Sequence, residues 1–397
     1  MPPVPRLVPC CATLLAASLL AAKAVSAQPA SEPGAASSAL DEVVVSASRA
    51  EQRAFDAPAA VQSIGRETIR EAGPGIHLGE SLARIPGVVA LDRQNWAQDP
   101  QLSIRGFGAR ATFGIRGVRL MVDGIPATMP DGQGQASAID LAAAERIEVL
   151  RGPLAQLYGN AAGGVVQVFS RRGREPGEAG GEVGFGSFGT RRYGLSASGV
   201  VGGVSGALDV SRLETDGYRA WSSAERRSAG AVLETTTAAG TRATLVAQDF
   251  DQPRALDPGG LTRAQLEADP RQASPASVAQ QARKTVAQRQ FGLVVEHPVD
   301  ADRTLTARVH GGQRDVYQAL SVPLAAQQSP TSAGGIVDLD RGYGGLGLQW
   351  SQRARLAGGA LRATVGLEAE RMAERRRGFV NNAGVQGALK RDEDNVV

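Results

Sequence analysis

The sequence is poor in the side chains on which most enzymatic chemistry depends. Its 397 residues include two cysteines and three histidines. Cys10 and Cys11 are adjacent and lie inside the first apolar run, so removal of that run leaves neither a thiolate nor a disulfide. His77, His297 and His310 are far apart and have no cysteine near them, which gives no metal-ligand spacing. GxSxG and GxxxxGK[ST] are missing. GxGxxG occurs at Gly184, Gly186 and Gly189 and again at Gly342, Gly344 and Gly347, each time in a strand-like stretch that opens no helix. An enzyme is not expected, and neither is a metal or a cofactor. A one-signed charge excess is also missing: 43 basic and 40 acidic residues are interspersed, which argues against nucleic acid as a partner. No segment after the first 27 residues approaches the roughly 20 apolar residues of a membrane-spanning helix, so entry into a membrane must be as a barrel.

The chain begins with Arg6 and an apolar run over residues 7–22, followed by the small residues Val25, Ser26 and Ala27. Pro9, Thr13, Ser18 and Lys23 interrupt it, so residues 1–27 read as a cleaved secretory signal rather than an anchor. Val8 and Pro9 suit a lipidated cysteine poorly. Residues 28–57 form a flexible linker, rich in Ala, Ser, Pro and Gly up to residue 40. Embedded in it is DEVVVSASR at 41–49, whose three consecutive valines prefer extended backbone and invite pairing with another sheet edge. The bland alternative is an ordinary edge strand.

Residues 58–172 mix helix and strand signals within a length suited to one α+β domain. Ile69, Leu78, Leu82 and Ile85 mark two short helical stretches, the second ending at Pro86 and Gly87. Strands are predicted at 60–63, 101–104, 120–122, 147–150 and 165–169. From residue 173 to 397 the helical period fades, and segments of about ten residues alternate apolar with polar. Leu305, Ala307 and Val309 oppose Thr304, Thr306, Arg308 and His310; Leu361, Val365 and Leu367 oppose Arg362, Thr364, Glu368 and Glu370. Ten residues at about 3.4 Å rise and about 45° tilt span roughly 24 Å, the height of an outer-membrane apolar band. Nine such strands are predicted, with short gaps after the second, fourth, sixth and eighth and longer polar gaps after the third, fifth, seventh and ninth; the short gap after the first, Gly189 and Thr190, breaks this rule. That parity belongs to barrels; a soluble β-sandwich has no need of it. The aromatic content of 4% is low for two aromatic girdles.

Four stretches carry a family resemblance: DEVVVSASR at 41–49, IPGV at 85–88, LSIRGFGAR at 102–110 and ERIEVLRGPLAQLYGNAAGGVVQV at 145–168. In this order they resemble the TonB box and plug of TonB-dependent outer-membrane receptors, nearest the ferric-citrate and pyrroloquinoline quinone receptors. The resemblance implies an α+β plug, a four-stranded sheet with helices, inside a transmembrane antiparallel β-barrel of 22 strands. It implies TonB binding through Asp41, Glu42, Val43, Val44, Val45, Ser46 and Ala47, and pairing of the plug arginines Arg105 and Arg151 with barrel glutamates. Expected partners are TonB, a small-molecule ligand and outer-membrane lipid, and the expected activity is uptake of a ferric siderophore, a similar chelate or pyrroloquinoline quinone. The ligand candidates on outward plug loops are Trp96, Met129, Asp131, Gln133 and Gln135; the same residues can equally serve the plug's own backbone.

A 22-stranded barrel at about 20 residues per strand and loop needs about 440 residues, and about 220 follow the plug. The expectation is therefore an incomplete barrel of about nine strands, with the chain truncated, ending in a loop after the ninth strand and unfit for transport by itself. The linker is also too short for the extra folded domain of a signalling receptor. A non-transporting outer-membrane binding or adhesion protein is the alternative.

Overall fold

Glu80 shows how local chemistry sets the first helices. Its carboxylate accepts the backbone amides of Gly75 (2.7 Å), Ile76 (3.1 Å) and His77 (3.0 Å), donors that the start of a helix leaves without partners. The computed structural model describes residues 44–45, 52–53, 60–92, 94–111 and 114–397. The signal, most of the linker, and Asp41, Glu42, Val43, Ser46 and Ala47 lie outside the described residues. Strand β1 (Val44–Val45) pairs antiparallel with β2 (Gln52–Arg53), in the register Val44 to Arg53 and Val45 to Gln52.

The α+β domain follows. Strand β3 (Ala60–Gly65) leads into α1 (Arg66–Ala72), which carries Glu67 in its first turn and Arg70 in its last, complementing the helix dipole. Helix α2 (Leu78–Leu82) is succeeded by a hairpin of β4 (Val88–Leu91) and β5 (Gln101–Ile104). Then come β6 (Val118–Val122), β7 (Ile125–Pro126), β8 (Ala144–Arg151) and β9 (Gly164–Ser170). The sheet order is β3-β8-β9-β6-β7, with β6 and β9 parallel and the other pairs antiparallel. Period-two alternation divides its residues between two cores. Ile147, Val149, Val166 and Val168 pack with Ile69, Leu78 and Leu82; Leu150 and Val165 pack with Tyr158 and Ala155 on the other face. Two expectations change. The sheet has five strands rather than four, because the short β7 folds back on β6. Residues 101–104 leave it to pair with β4, an edge contact that apolar pattern alone does not reveal.

Ten antiparallel strands form the wall: β10 (Glu178–Phe185), β11 (Arg191–Val201), β12 (Val204–Thr215), β13 (Ala224–Thr236), β14 (Arg242–Ala255), β15 (Arg283–Pro298), β16 (Arg303–Ala319), β17 (Ile336–Leu356), β18 (Gly359–Asn382) and β19 (Val385–Val396). Each pairs with the next, and β10 and β19 are not paired with each other, so the sheet is open. The expected count of nine is corrected to ten. Residues 385–396 are a strand, joined to β18 by the two-residue turn Ala383–Gly384 rather than ending in a loop. Its charged run from Lys390 to Glu393 lacks the apolar alternation by which the other strands were recognised.

The alternation read from sequence is realised. Val309 and Leu367 face outward, exposed by 53% and 78%, while His310 is buried on the inner face. Leu208, Leu245, Phe291, Leu346 and Val365 join them in an outward apolar band, which water cannot solvate favourably and lipid can. Turns on one rim are short: Gly202 and Gly203 (φ 58° and 79°) close β11 to β12 in a left-handed geometry suited to hairpins. Loops on the other rim include residues 256–282, which hold α3 (Arg263–Ala268) and α4 (Pro275–Ala279), and residues 320–335, which hold α5 (Leu324–Gln327). Between domain and wall, Gly173 crosses the inner face of β11 and β12. A Cβ there would collide with the carbonyl oxygens of Gly199 and Gly206.

Candidate functional site

The plug packs against the inner face of the wall through ion pairs and through small separate apolar clusters, such as Ile125 with Val232 and Val246. Arg119 on β6 pairs with Glu370 on β18, both largely shielded from solvent. Arg171 pairs with Asp209 at 3.1 Å, and Arg172 bridges Asp123 (2.9 Å) to Glu234 (3.2 Å). From the wall, Arg308 donates to the Gly124 carbonyl at 2.8 Å and pairs with Glu368. These pairs were not identified from sequence, because each joins residues far apart in the chain. The only hint was the inward position of Glu368 and Glu370 in the β18 alternation.

At the long-loop end, the loop over residues 94–99 meets the wall. The Asn95 and Gln98 side-chain amides each donate to Asp257 at 2.7 Å. Asp99 accepts from Lys284 Nζ at 2.9 Å. Burial pulls the Asp99 carboxyl upward, but Lys284, Arg314 and Arg226 outweigh it and hold it below the usual carboxylate range. Trp96 is half-buried beneath the Arg226 guanidinium, 4.7 Å from ring centroid to Cζ, and packs against Ala97, Ala224 and Ala255. His77 stacks on it at 5.2 Å. Its Nε2 lies 3.3 Å from Asp92, while Nδ1 is buried without a hydrogen-bond partner. Burial, reinforced by the Arg226 charge and opposed by Asp92, lowers His77 to about 4.

The other ligand candidates are likewise engaged. Gln133 accepts from Arg341 at 3.0 Å, and Gln135 accepts from Arg314 at 2.8 Å. Met129 is 1% exposed, packed with Tyr343 and Met372. Asp131 accepts the Gln133 backbone amide at 2.9 Å and lies 3.7 Å from Arg116. Trp96, Gln133 and Gln135 therefore share one feature: each touches an arginine of the wall.

Arg105 and Arg151 sit together on the plug, and neither has a carboxylate within salt-bridge distance among the described residues. Arg151 donates to the Pro86 carbonyl (2.5 Å) and to Gln62 Oε1 (2.7 Å). Burial and the neighbouring Arg105 charge push its guanidinium below the ordinary value. Arg105 is exposed, with φ of 50°. Of the seven residues expected from sequence to bind TonB, Val44 and Val45 are described, as β1.

Toward the short-turn rim, a cavity of about 610 Å³ separates plug from wall, lined by Asp123, Arg146, Arg172, Glu234, Arg308 and Glu368 among others. On the opposite rim, three loops are tied at one point. Asn381 is fully buried; its side-chain amide donates to the carbonyls of Gln280 (2.8 Å) and Leu320 (3.1 Å) and accepts from the Gly384 amide at 2.7 Å.

A small α+β domain wedged by ion pairs against the polar face of a tilted, outwardly apolar sheet is an unusual combination. Residues 53–165 match the family model described as TonB-dependent Receptor Plug Domain. The plug is that of a TonB-dependent receptor. Among similar receptors is the ferric enterobactin receptor PirA of Pseudomonas aeruginosa, 35% identical over 147 residues, covering 33% of this chain and 19% of that protein. The iron-regulated outer membrane virulence protein of Vibrio cholerae is 33% identical over 142 residues, covering 34% and 20%. The solved structure of the ferric citrate transporter FecA in its unliganded form superposes with a TM-score of 0.71 over 86% of this chain and 52% of that one, at 21% identity, which speaks for the fold. The chain thus spans about half the length of the solved receptor and about a fifth of these curated relatives is matched.

Proposed function

We propose that the receptor chain takes part in active uptake of a scarce small molecule, a ferric siderophore or similar chelate, across the outer membrane with energy delivered by TonB. One observation carries this reading: the plug fills the polar side of a membrane-facing sheet and is held by breakable ion pairs rather than by a continuous apolar core. A plug held in this way blocks passage at rest and can shift without unfolding. The valine-rich segment 41–47 is the handle. Its extended backbone offers main-chain hydrogen bonds to a partner's sheet edge, and pulling on it transmits force to β3. Arg105 and Arg151 have no wall carboxylate within salt-bridge distance among the described residues, and a guanidinium is suited to take one bidentately. Relatives named for ferric enterobactin and ferric citrate favour an iron chelate over pyrroloquinoline quinone. The test is uptake of radiolabelled ferric chelates by cells whose outer membrane carries the receptor. Deleting residues 41–47 should abolish uptake and spare surface binding. Uptake that survives the deletion would refute the reading.

A second reading rests on the open sheet. One edge of β10 and one edge of β19 have no partner strand among the described residues, and such edges expose backbone groups that lipid cannot satisfy. This favours surface binding without transport for the chain by itself, and binding with no energy-dependent accumulation would support it.

A further inference from the structure

The cavity toward the short-turn rim has a size and a lining that the ion pairs holding the plug do not require. Its volume of about 610 Å³ falls among small-molecule sites, which run from about 300 to 1,000 Å³. Each arginine on its lining has a carboxylate partner: Arg242 meets Glu296 at 2.7 Å, Arg172 meets Glu234 at 3.2 Å, and Arg308 meets Glu368. Between these pairs stand the hydroxyls of Thr244, Thr306 and Thr364 and the apolar surfaces of Leu157 and Leu348. A second cavity of about 390 Å³ shares Arg242, Glu296, Thr306 and Gln349 with the first and reaches Asp302, in the turn between β15 and β16. The polar space thus continues to the rim of short turns, which in outer-membrane barrels is the periplasmic one. On its other side the β6 to β7 turn closes it. Ile125, 1% exposed, packs with Val232 and Val246, and a Cβ added to Gly292 would lie 2.5 Å from its side chain. Val232, Val246 and Gly292 stand farther from the short turns than Glu234, Thr244 and Glu296 on the same strands. Arg308 adds a hydrogen bond to the Gly124 carbonyl at 2.8 Å.

We infer that this cavity is an inner binding site for the transported molecule, a vestibule open to the periplasm at rest and shut off from the outside by the layer around Ile125. The inference rests on the uptake reading and adds a second station to it. The molecule it fits is a polar chelate, whose anionic oxygens and hydrogen-bonding groups meet guanidinium and threonine donors in turn. Because each arginine already has its own carboxylate, a visiting anion gains only part of the attraction of an uncompensated cation and is held loosely. Loose holding suits a point of release, where binding must be favourable enough to admit a solute and weak enough to let it go. The passage is then half open before any force is applied. Tension on residues 41–47 has only to shift the β6 to β7 turn, not to draw the whole plug from the wall.

The test uses Thr306→Cys and Val246→Cys, each in the full chain with Cys10 and Cys11 replaced by serine, in outer-membrane fragments that expose both faces. A membrane-impermeant maleimide should label Thr306→Cys quickly with neither ligand nor TonB present. Val246→Cys, in the closing layer and 3% exposed, should react at least about tenfold more slowly. Adding Ile125→Ala should bring the Val246→Cys rate up toward that of Thr306→Cys. Ferric citrate or a ferric catecholate should slow labelling of Thr306→Cys by occupancy, about threefold at twice its dissociation constant, with half-effect at millimolar concentration. Sucrose at the same concentration should not. Slow labelling of Thr306→Cys overturns the inference, since the vestibule is then closed at rest, and so does lack of protection by both chelates. A Val246→Cys rate that Ile125→Ala leaves unchanged also overturns it. Should the Ile125→Ala variant fail to insert, equal rates for the two single cysteines overturn it by themselves. None of these measurements requires transport. Failure of the uptake reading shows separately, as chelate accumulation indifferent to deletion of residues 41–47.

Discussion

The backbone amide of Asn381 donates to Gln327 Oε1 at 2.7 Å, and Gln327 Nε2 donates to the Val322 carbonyl at 2.7 Å, so two fully buried amides lock the end of β18 to helix α5. With its bonds to Gln280, Leu320 and Gly384, Asn381 becomes the common fastening of three loops. Asn381→Ala leaves several buried backbone groups without partners and should cost about 2–3 kcal/mol locally. Limited trypsinolysis should then cut within residues 256–282, after Arg263 or Arg271, well before the parent is cut. Unchanged digestion would show that the loops are held elsewhere.

The Arg119 to Glu370 pair should hold the plug to the wall. Removing one partner of a shielded ion pair leaves the other charge uncompensated, at a cost of about 3–5 kcal/mol. Arg119→Ala should lower the urea midpoint for plug unfolding, followed by Trp96 fluorescence, by more than Glu370→Gln does. A double-mutant cycle should return a coupling energy distinct from zero; simple additivity would mean that the pair is incidental.

His77 predicts an acid limit for the apex. Its ordinary value is 6.5, and in the folded plug it is lowered to about 4. Between those values the unfolded chain binds a proton that the folded chain refuses, so stability falls as pH drops from about 6.5 toward 4 and is constant above. Each unit is worth about 1.4 kcal/mol, giving a loss on the order of 3 kcal/mol. Urea midpoints taken at pH 7.5, 5.5 and 4.5 should show this slope, and His77→Gln should flatten it. Retention of the full slope in that variant would place the effect on other groups.

Leu367 tests the membrane face. At 78% exposure on the outer surface it is costly in water and favourable in lipid. Leu367→Arg should reduce the heat-modifiable, membrane-inserted fraction by an amount equivalent to about 2–4 kcal/mol, whereas Leu367→Ile should not. Equal insertion of both would argue that this face does not meet hydrocarbon.

What could be read in advance follows a physical division. The plug motifs and the strand alternation are local, so 145–168 and the β16 and β18 patterns named the fold. Strand β19 escaped because its charged run from Lys390 to Glu393 interrupts the apolar–polar alternation. Trp96, Gln133 and Gln135, chosen as ligand candidates, lie at the contact with the wall, and their arginine partners there could not be seen in the sequence. Gln135 meets Arg314 across 179 positions and Gln133 meets Arg341 across 208, distances over which sequence pattern is silent. Arg105 and Arg151 were chosen by likeness, and the described strands hold no glutamate beside them. The pairs actually formed, such as Arg119 with Glu370, have no motif.

Gly173 sets a practical boundary for anyone exchanging modules between receptors. Since the carbonyls of Gly199 and Gly206 close around it, the connector and the first two hairpins of the wall form a single fitted joint. A chimera spliced at residue 173 would ask two unrelated surfaces to mate there. One spliced before Arg171, with the joint inherited whole from the barrel donor, keeps that fit and confines the mismatch to a strand end.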